Sequence, residues 1–241
     1  MNYKPLFVSI VFLAAVWGVY FWQFNNGFST SQGDWGTFGD FTGGVVNPLL
    51  NFITIYVLIT QFKTLKSDLD KQRFDEAVKA FESSFFTFTT IALNEYKTFE
   101  LKVGDIVYKG AGSIGYIEGY FERHSKLGAD MNVKFNEIDQ LSHDGVYSLV
   151  SSFCVVFKLI DETCPAEVKD KYISLFSMLL PTKMTYLLSM AEVSTKWKLL
   201  KYPRDLGYFD KDSVSKVCTH YRKIAGISSL QAPADASDAR E

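Results

Sequence analysis

The side chains in this 241-residue chain best suited to acid–base, nucleophilic or metal chemistry are three histidines and three cysteines. Their spacing supports none of it. His124, His143 and His220 are too far apart in sequence for a metal-ligand pattern, and Cys154, Cys164 and Cys218 match neither a zinc nor a CxxC arrangement. There is no P-loop, H-E-x-x-H or nucleophile elbow. His143, at the start of an apolar helical pattern, fits a structural hydrogen-bonder better than a base. Gly110-Ala-Gly112-Ser-Ile-Gly115 is formally G-x-G-x-x-G, preceded by a short strand-like run from Asp105 to Lys109. One strand among helices supplies no parallel sheet to hold a dinucleotide, so the run reads as a connection between helices. The expectation is a non-enzyme with no cofactor, no metal and no small-molecule substrate.

Two polar constellations remain. Asn47, Asn51 and Thr54, continued by Leu58 and Gln61, recur at spacings of four and three and share one face of a helix. They sit in Val45–Phe62, 18 residues without a charge. A carboxamide in hydrocarbon is costly unless paired, so this face turns from lipid toward another helix, another subunit or water. It reads either as a packing seam in a plain anchor or as an oligomer seam or pore lining. The second constellation runs from Lys196 to Lys223, with eight Lys or Arg against three Asp and with Trp197, Tyr202, Tyr208 and Tyr221 interleaved. Lys196, Lys198, Lys201, Arg204, Lys216, Arg222 and Lys223 suit contact with phosphates of nucleic acid or lipid, the rings stacking on bases. The alternative is an ordinary solvated face.

The elements that would position these residues begin with two apolar runs. At roughly 1.5 Å per residue, Val45–Phe62 crosses most of a hydrocarbon core, and a second run lies upstream at Leu6–Phe24. That run is longer than a signal-peptide core and leads into Trp17, Tyr20, Phe21 and Trp22 rather than small residues, so a retained span is expected. Residues 1–62 are therefore read as a transmembrane hairpin, with spans at about 6–24 and 45–62 and a loop at 25–44. Lys4 precedes the first span, and Lys63, Lys66, Lys71 and Arg73 follow the second, whereas the loop carries Asp34 and Asp40 and no base. Retention of basic residues on the cytoplasmic side puts both termini in the cytoplasm, with a short loop outside. Trp17, Trp22, Trp35, Phe38 and Phe41 would lie at the outer interface. Gly39, Gly43 and Gly44 allow a tight turn or re-entrant backbone beside Asp40, and Pro48 falls harmlessly in the first turn of a helix starting near Asn47.

Residues 63–227 read as one helical domain of ordinary size. Phe62, Leu65, Leu69, Phe74, Val78, Phe81, Phe85 and Phe88 continue a helical spacing with no breaker before Gly104, extending the second span into a long helix, either a rigid lever or a plain stalk. Helices follow over Ile114–Lys126, from His143 to a stop at Pro165, over Ala166–Leu180, from a Thr182 cap to about Leu200, and from an Asp212 or Ser213 cap through Ile224. The predicted inward faces are Val146, Val150, Phe153, Phe157 and Ile160; then Tyr172, Leu175, Phe176 and Leu179; then Met184, Leu187, Leu188 and Ala191. The scattered cysteines read as small buried apolar residues in a reducing compartment, and the Ala-, Asp- and Ser-rich tail, 228–241, as disordered. The class is all-α: a two-helix membrane hairpin, a long helix and a cytoplasmic helical bundle.

Several blocks resemble the AbiC-like family of phage abortive infection proteins. They are G-T-F-G-D-F-T-G-G-V-V-N-P-L-L-N-F at Gly36–Phe52, A-F-E-S-S-F-F at Ala80–Phe86, the Asn94 and Lys109-Gly110 regions, L-S-H at Leu141–His143 and K-Y-I-S-L-F-S-M-L-L at Lys171–Leu180. Ala92-Leu93-Asn94 stands where the family often has Leu-His-Asn, and Met178-Leu179-Leu180 where it often has Gln-Leu-Ser, so no site built on that His or Gln carries over. The resemblance implies an inner-membrane protein of antiphage defence that halts or kills the infected cell. Two-span effectors of retron systems have a similar architecture, which would make a reverse transcriptase and its DNA–RNA product the inhibitory partners. The rival reading is a membrane-anchored helical scaffold or sensor that recruits other proteins without forming a pore.

Overall fold

The computed structural model of the chain describes residues 4–24, 27 and 29–226; the predicted tail 228–241 lies outside the described residues. Contacts divide the chain into two compact units, Met1–Arg73 and Phe74–Glu241. The second unit begins at Phe74 in this division, and its first core residue is Phe81.

The first unit holds α1 (Lys4–Gln23) and the N-terminal part of α2 (Gln32–Thr98). Helix starts at Gln32 rather than near Val45, which corrects the loop expected over 25–44. Gly39, Gly43 and Gly44 are helical and none has a positive φ, so no tight turn or re-entrant backbone forms there. The glycines tilt the local propensity toward a turn by only about 1 kcal/mol each. Against that, Trp35, Phe38 and Phe41 fall at helical spacing, and Phe38 and Phe41 place their rings 5.1 and 4.9 Å from Tyr20. Pro48 is consequently interior to α2 and not in its first turn. It deprives the Gly44 carbonyl of its i+4 donor.

By length and composition α2 is the one described helix long and apolar enough to cross a membrane, and none of its apolar window is buried. Phe7–Gln23 is a shorter apolar helix. Its side chains are also largely exposed, among them Phe7, Val8, Ile10, Val19 and Trp22.

Among its described residues the second unit is all-α apart from one antiparallel hairpin, β1 (Glu100–Val103) with β2 (Ile106–Lys109), turned at Gly104 with φ 60°. The helices are α3 (Ala111–Lys126), α4 (Met131–Leu141), α5 (Gly145–Thr163), α6 (Lys169–Leu179), α7 (Thr182–Ser194), α8 (Lys201–Asp205) and α9 (Asp212–Ile224). Helix α5 forms the centre: Val146, Leu149, Val150, Phe153, Val156, Phe157 and Ile160 are wholly buried, the expected stripe widened along one side by Leu149 and Val156. Phe176 meets Phe157 edge-on at 4.9 Å, and Phe81 meets Tyr172 at 4.8 Å. From α7, Met184, Leu187, Leu188 and Ala191 are buried as expected. From α6, Tyr172 and Phe176 are buried, but Leu179 lies at the frayed C-terminal end and is exposed. On α2 the inward line is Phe81, Phe85, Thr89 and Ala92, and Phe88 faces out.

Helix α4, not anticipated, is capped by Asp130, whose side chain accepts from the Asn132 N–H at 2.9 Å. It meets α5 at 97° through Ser142, His143 and Asp144. His143 and Asp144 are both left-handed, with φ 54° and 60°. That costly pair is held by two bonds to the start of α5: Ser142 Oγ accepts from Val146 N at 3.1 Å, and Asp139 Oδ1 from Tyr147 N at 2.9 Å. The expected Thr182 cap does not form; Thr182 is the first helical residue, behind extended Pro181. Likewise neither Asp212 nor Ser213 is the cap of α9, whose preceding residue is Lys211. Helix α7 stops at Ser194 rather than near Leu200, and the chain re-enters helix at α8 after a 3-10 turn, Lys198–Leu200.

Candidate functional site

Because α2 runs unbroken from Gln32, Asp40, Asn47, Asn51, Thr54, Leu58 and Gln61 lie along one face of a single helix, at steps of seven, four, three, four and three. All are exposed. Thr42 Oγ1 is buried with no hydrogen-bond partner among the described residues. Three other hydroxyls along this segment are satisfied within the helix: Thr54 Oγ1 donates to Leu50 O at 2.8 Å, Thr60 Oγ1 to Tyr56 O at 2.8 Å and Thr37 Oγ1 to Gly33 O at 3.1 Å. Those groups enter an apolar surrounding at little cost. Asn47 and Asn51 differ, since a carboxamide has two donors and an acceptor that the helix backbone does not absorb. Neither makes a side-chain hydrogen bond to a described residue.

The helical glycines add a second observation. A Cβ built at Gly36, Gly39 or Gly44 meets nothing within 4 Å, and one at Gly43 meets only the Asn47 amide at 3.9 Å. Packing among the described residues therefore gives no reason for glycine at these positions, although each weakens the helix. In a membrane helix such positions let a second backbone approach closely.

The basic segment is dismantled as a stacking surface. Trp197 is buried against Tyr147, 5.0 Å, and Phe135, 5.8 Å. Tyr208 packs on Phe157 at 4.9 Å and donates to Thr185 Oγ1 at 3.1 Å. Tyr221 meets Phe121 at 5.7 Å and donates to Glu118 at 3.3 Å. Burial pushes the Tyr208 hydroxyl up to about 12 and raises that of Tyr221, the nearby Glu118 carboxylate adding to the latter. These rings are core anchors, interleaved with lysines because amphipathic helices alternate faces. Of the cations, Arg204 forms a two-pronged pair with Glu192, and Lys216 pairs with Asp212 at 2.9 Å. Lys201 lies 4.6 Å over the half-buried Tyr202 ring. Lys196, Lys198, Arg222 and Lys223 are exposed and make no ion pair with a described residue.

The histidines do not converge. His124 stacks on Tyr120 at 3.9 Å with Nδ1 2.9 Å from the Tyr120 carbonyl, His220 lies against Tyr221, and His143 is exposed at the α4–α5 corner. No group of three His, Cys, Asp or Glu side chains among the described residues is placed to hold a metal ion. Gly110 opens α3 at φ 51°, and its N–H donates to Phe99 O at 2.8 Å, so the glycine-rich run closes the β-hairpin onto α3. All three cysteines are buried and free, as expected of small apolar residues.

No family model, curated protein or solved structure matches the chain.

Proposed function

We propose that the chain is a membrane-embedded effector of bacterial antiphage defence, of the abortive-infection type its sequence resembles, which compromises the inner membrane when copies of α2 associate. One observation carries the reading: α2 bears an apolar window with no buried residue, and through that window runs a line containing two carboxamides with no partner among the described residues. An exposed apolar surface of this extent is stable in lipid and a liability in water. Once in lipid, the Asn47 and Asn51 amides are satisfied by the same amides of neighbouring copies or by water between them. The glycines beside them allow that approach. In this reading α1 is the first span, α2 the second, both termini are cytoplasmic, and the exposed Lys196, Lys198, Arg222 and Lys223 are the contact for an inhibitory partner. A reverse transcriptase with its DNA–RNA product is the partner that a retron context would supply.

The test is expression of the chain alone with membrane potential followed by a voltage-sensitive dye. Depolarisation and growth arrest are expected, and both are lost in Asn47→Leu with Asn51→Leu at equal membrane abundance. Continued polarisation of cells carrying the unaltered chain would sink the proposal. The exposed Phe86, Phe88 and Ile91 favour a second reading, a membrane-anchored scaffold that recruits proteins. Exchanging residues 1–62 for an unrelated two-span anchor separates the two, since a scaffold keeps its function and a pore does not.

A further inference from the structure

Where the end of α1 meets the start of α2, inside the first unit, six aromatic rings surround a half-open cleft of about 640 Å³. Tyr20, Phe21 and Phe24 line it from one side and Trp35, Phe38 and Phe41 from the other. Tyr20 is the hub: its ring lies 4.9 Å from Phe24, 5.1 Å from Phe38 and 4.9 Å from Phe41. The rim is held by a short polar relay, in which Ser29 Oγ donates to Asp34 Oδ2 at 2.5 Å and Trp35 Nε1 donates to Ser29 O at 2.9 Å. Asp34 is the one charged group among the described residues of the lining.

No cation in this part of the chain answers that carboxylate. From Pro5 to Phe62 there is no Lys, Arg or His, and the described ion pairs all lie in the second unit. An electron-rich aromatic wall with a single acid at its mouth is complementary to one chemistry, a nitrogen cation that bears carbon substituents. Ring faces attract such a cation through their quadrupole and solvate its methyl or methylene groups, while the acid supplies the opposite charge. A hydrated metal ion would find one monodentate acid and no other ligand; an anion would meet Asp34. We propose that this cleft binds an organic ammonium group. That group is presented either by the amine headgroup of a lipid such as phosphatidylethanolamine or by a free alkylammonium compound. Its binding is independent of whether copies of α2 assemble.

The experiment uses the full chain in nanodiscs of phosphatidylglycerol, which carries no amine. Tetramethylammonium and short-chain phosphatidylethanolamine are titrated separately by calorimetry, with Trp emission as a second readout. Saturable binding is expected, weakened about tenfold or more by Asp34→Asn and by Phe38→Leu and unchanged by Asp40→Asn. Far-UV circular dichroism confirms that each variant keeps its helices. Binding of both probes assigns recognition to the ammonium itself; binding of the lipid alone assigns the lipid as its source. Absence of saturable binding by either probe overturns the proposal, as does equal affinity in the Asp34→Asn protein. Should Asp34→Asn unfold, the Phe38→Leu titration decides in its place, and undiminished affinity there overturns the proposal.

Discussion

The guanidinium of Arg204, in α8, lies flat against the carboxylate of Glu192, in α7, with Nε to Oε1 at 3.0 Å and Nη2 to Oε2 at 2.9 Å. The Glu192 side chain is 5% exposed. Its charge is therefore tolerable only while Arg204 is in place. Arg204 stands in the basic run that the sequence offers to phosphates, yet it is already engaged within the fold. Arg204→Ala is expected to destabilise the second unit by about 2 kcal/mol, less than for a fully buried pair because Arg204 itself is half exposed. Urea denaturation of the full chain checks this. Lys196→Ala, an exposed cation, should stay within about 0.5 kcal/mol of the parent.

Tyr208 makes alkaline stability a readout of the core. Its folded value, pushed up to about 12 by burial, exceeds the ordinary 10.0. A group raised in the folded state contributes stability that is complete below the unfolded value and lost as pH climbs through the folded one. Stability should hold up to about pH 10 and fall between about 10 and 12, with tyrosinate absorbance rising together with the loss of helix. Tyr208→Phe should flatten part of that decline while lowering stability at neutral pH by about 1 kcal/mol, the worth of its bond to Thr185.

At the start of α5, a Cβ on Gly145 would stand 3.1 Å from Phe99 Cε2 and 3.4 Å from Ser142 Oγ. Ser142 is also the hydroxyl that caps the helix. Gly145→Ala is expected to lower stability by about 1 kcal/mol, with a smaller loss when introduced into a Phe99→Leu background. A double-mutant cycle by chemical denaturation measures the coupling. Equal losses in both backgrounds would mean that Phe99 is not the obstacle.

Burial of Cys154, Cys164 and Cys218 raises all three thiols and removes them from solvent. No thiol should react with a membrane-impermeant maleimide in the folded protein, and all three should react in denaturant. A cysteine placed at exposed Ser31 then reports alone. In intact cells it is expected to label from the periplasmic side, and labelling only after lysis would reverse the proposed topology.

Much of the second unit was legible in sequence because apolar spacing carries through: Val146 to Ile160 and Met184 to Ala191 face inward as their period requires. Helix α4 was not, since its apolar residues, Met131, Phe135 and Ile138, make a stripe too short to stand out between two glycine-marked turns. The N-terminal end of α2 departs from its sequence pattern for the opposite reason. Local glycine content argues for a turn, while the rings that overrule it, Tyr20 and Phe21, lie on another helix and act only once the two are together. The Asn47, Asn51 and Thr54 face was visible at once, because a four-three spacing needs only a helix. Interleaving of Trp197, Tyr208 and Tyr221 with lysines carried no comparable signal. Composition does not tell which face of a short helix each ring takes, and here all three rings turn inward.

Every residue of α2 from Lys63 to Arg73 is exposed. A lone helix of that length in water frays readily, and it carries Lys63, Lys66, Lys71 and Arg73 directly after 58 residues, Pro5 to Phe62, that offer trypsin nothing to cut. Brief digestion should thus sever the polypeptide at this one place. The largely apolar piece, with Asp34 and Asp40 its only charges between Pro5 and Phe62, would stay with the vesicles, and a water-borne helical fragment, beginning near Phe74, could be crystallised on its own.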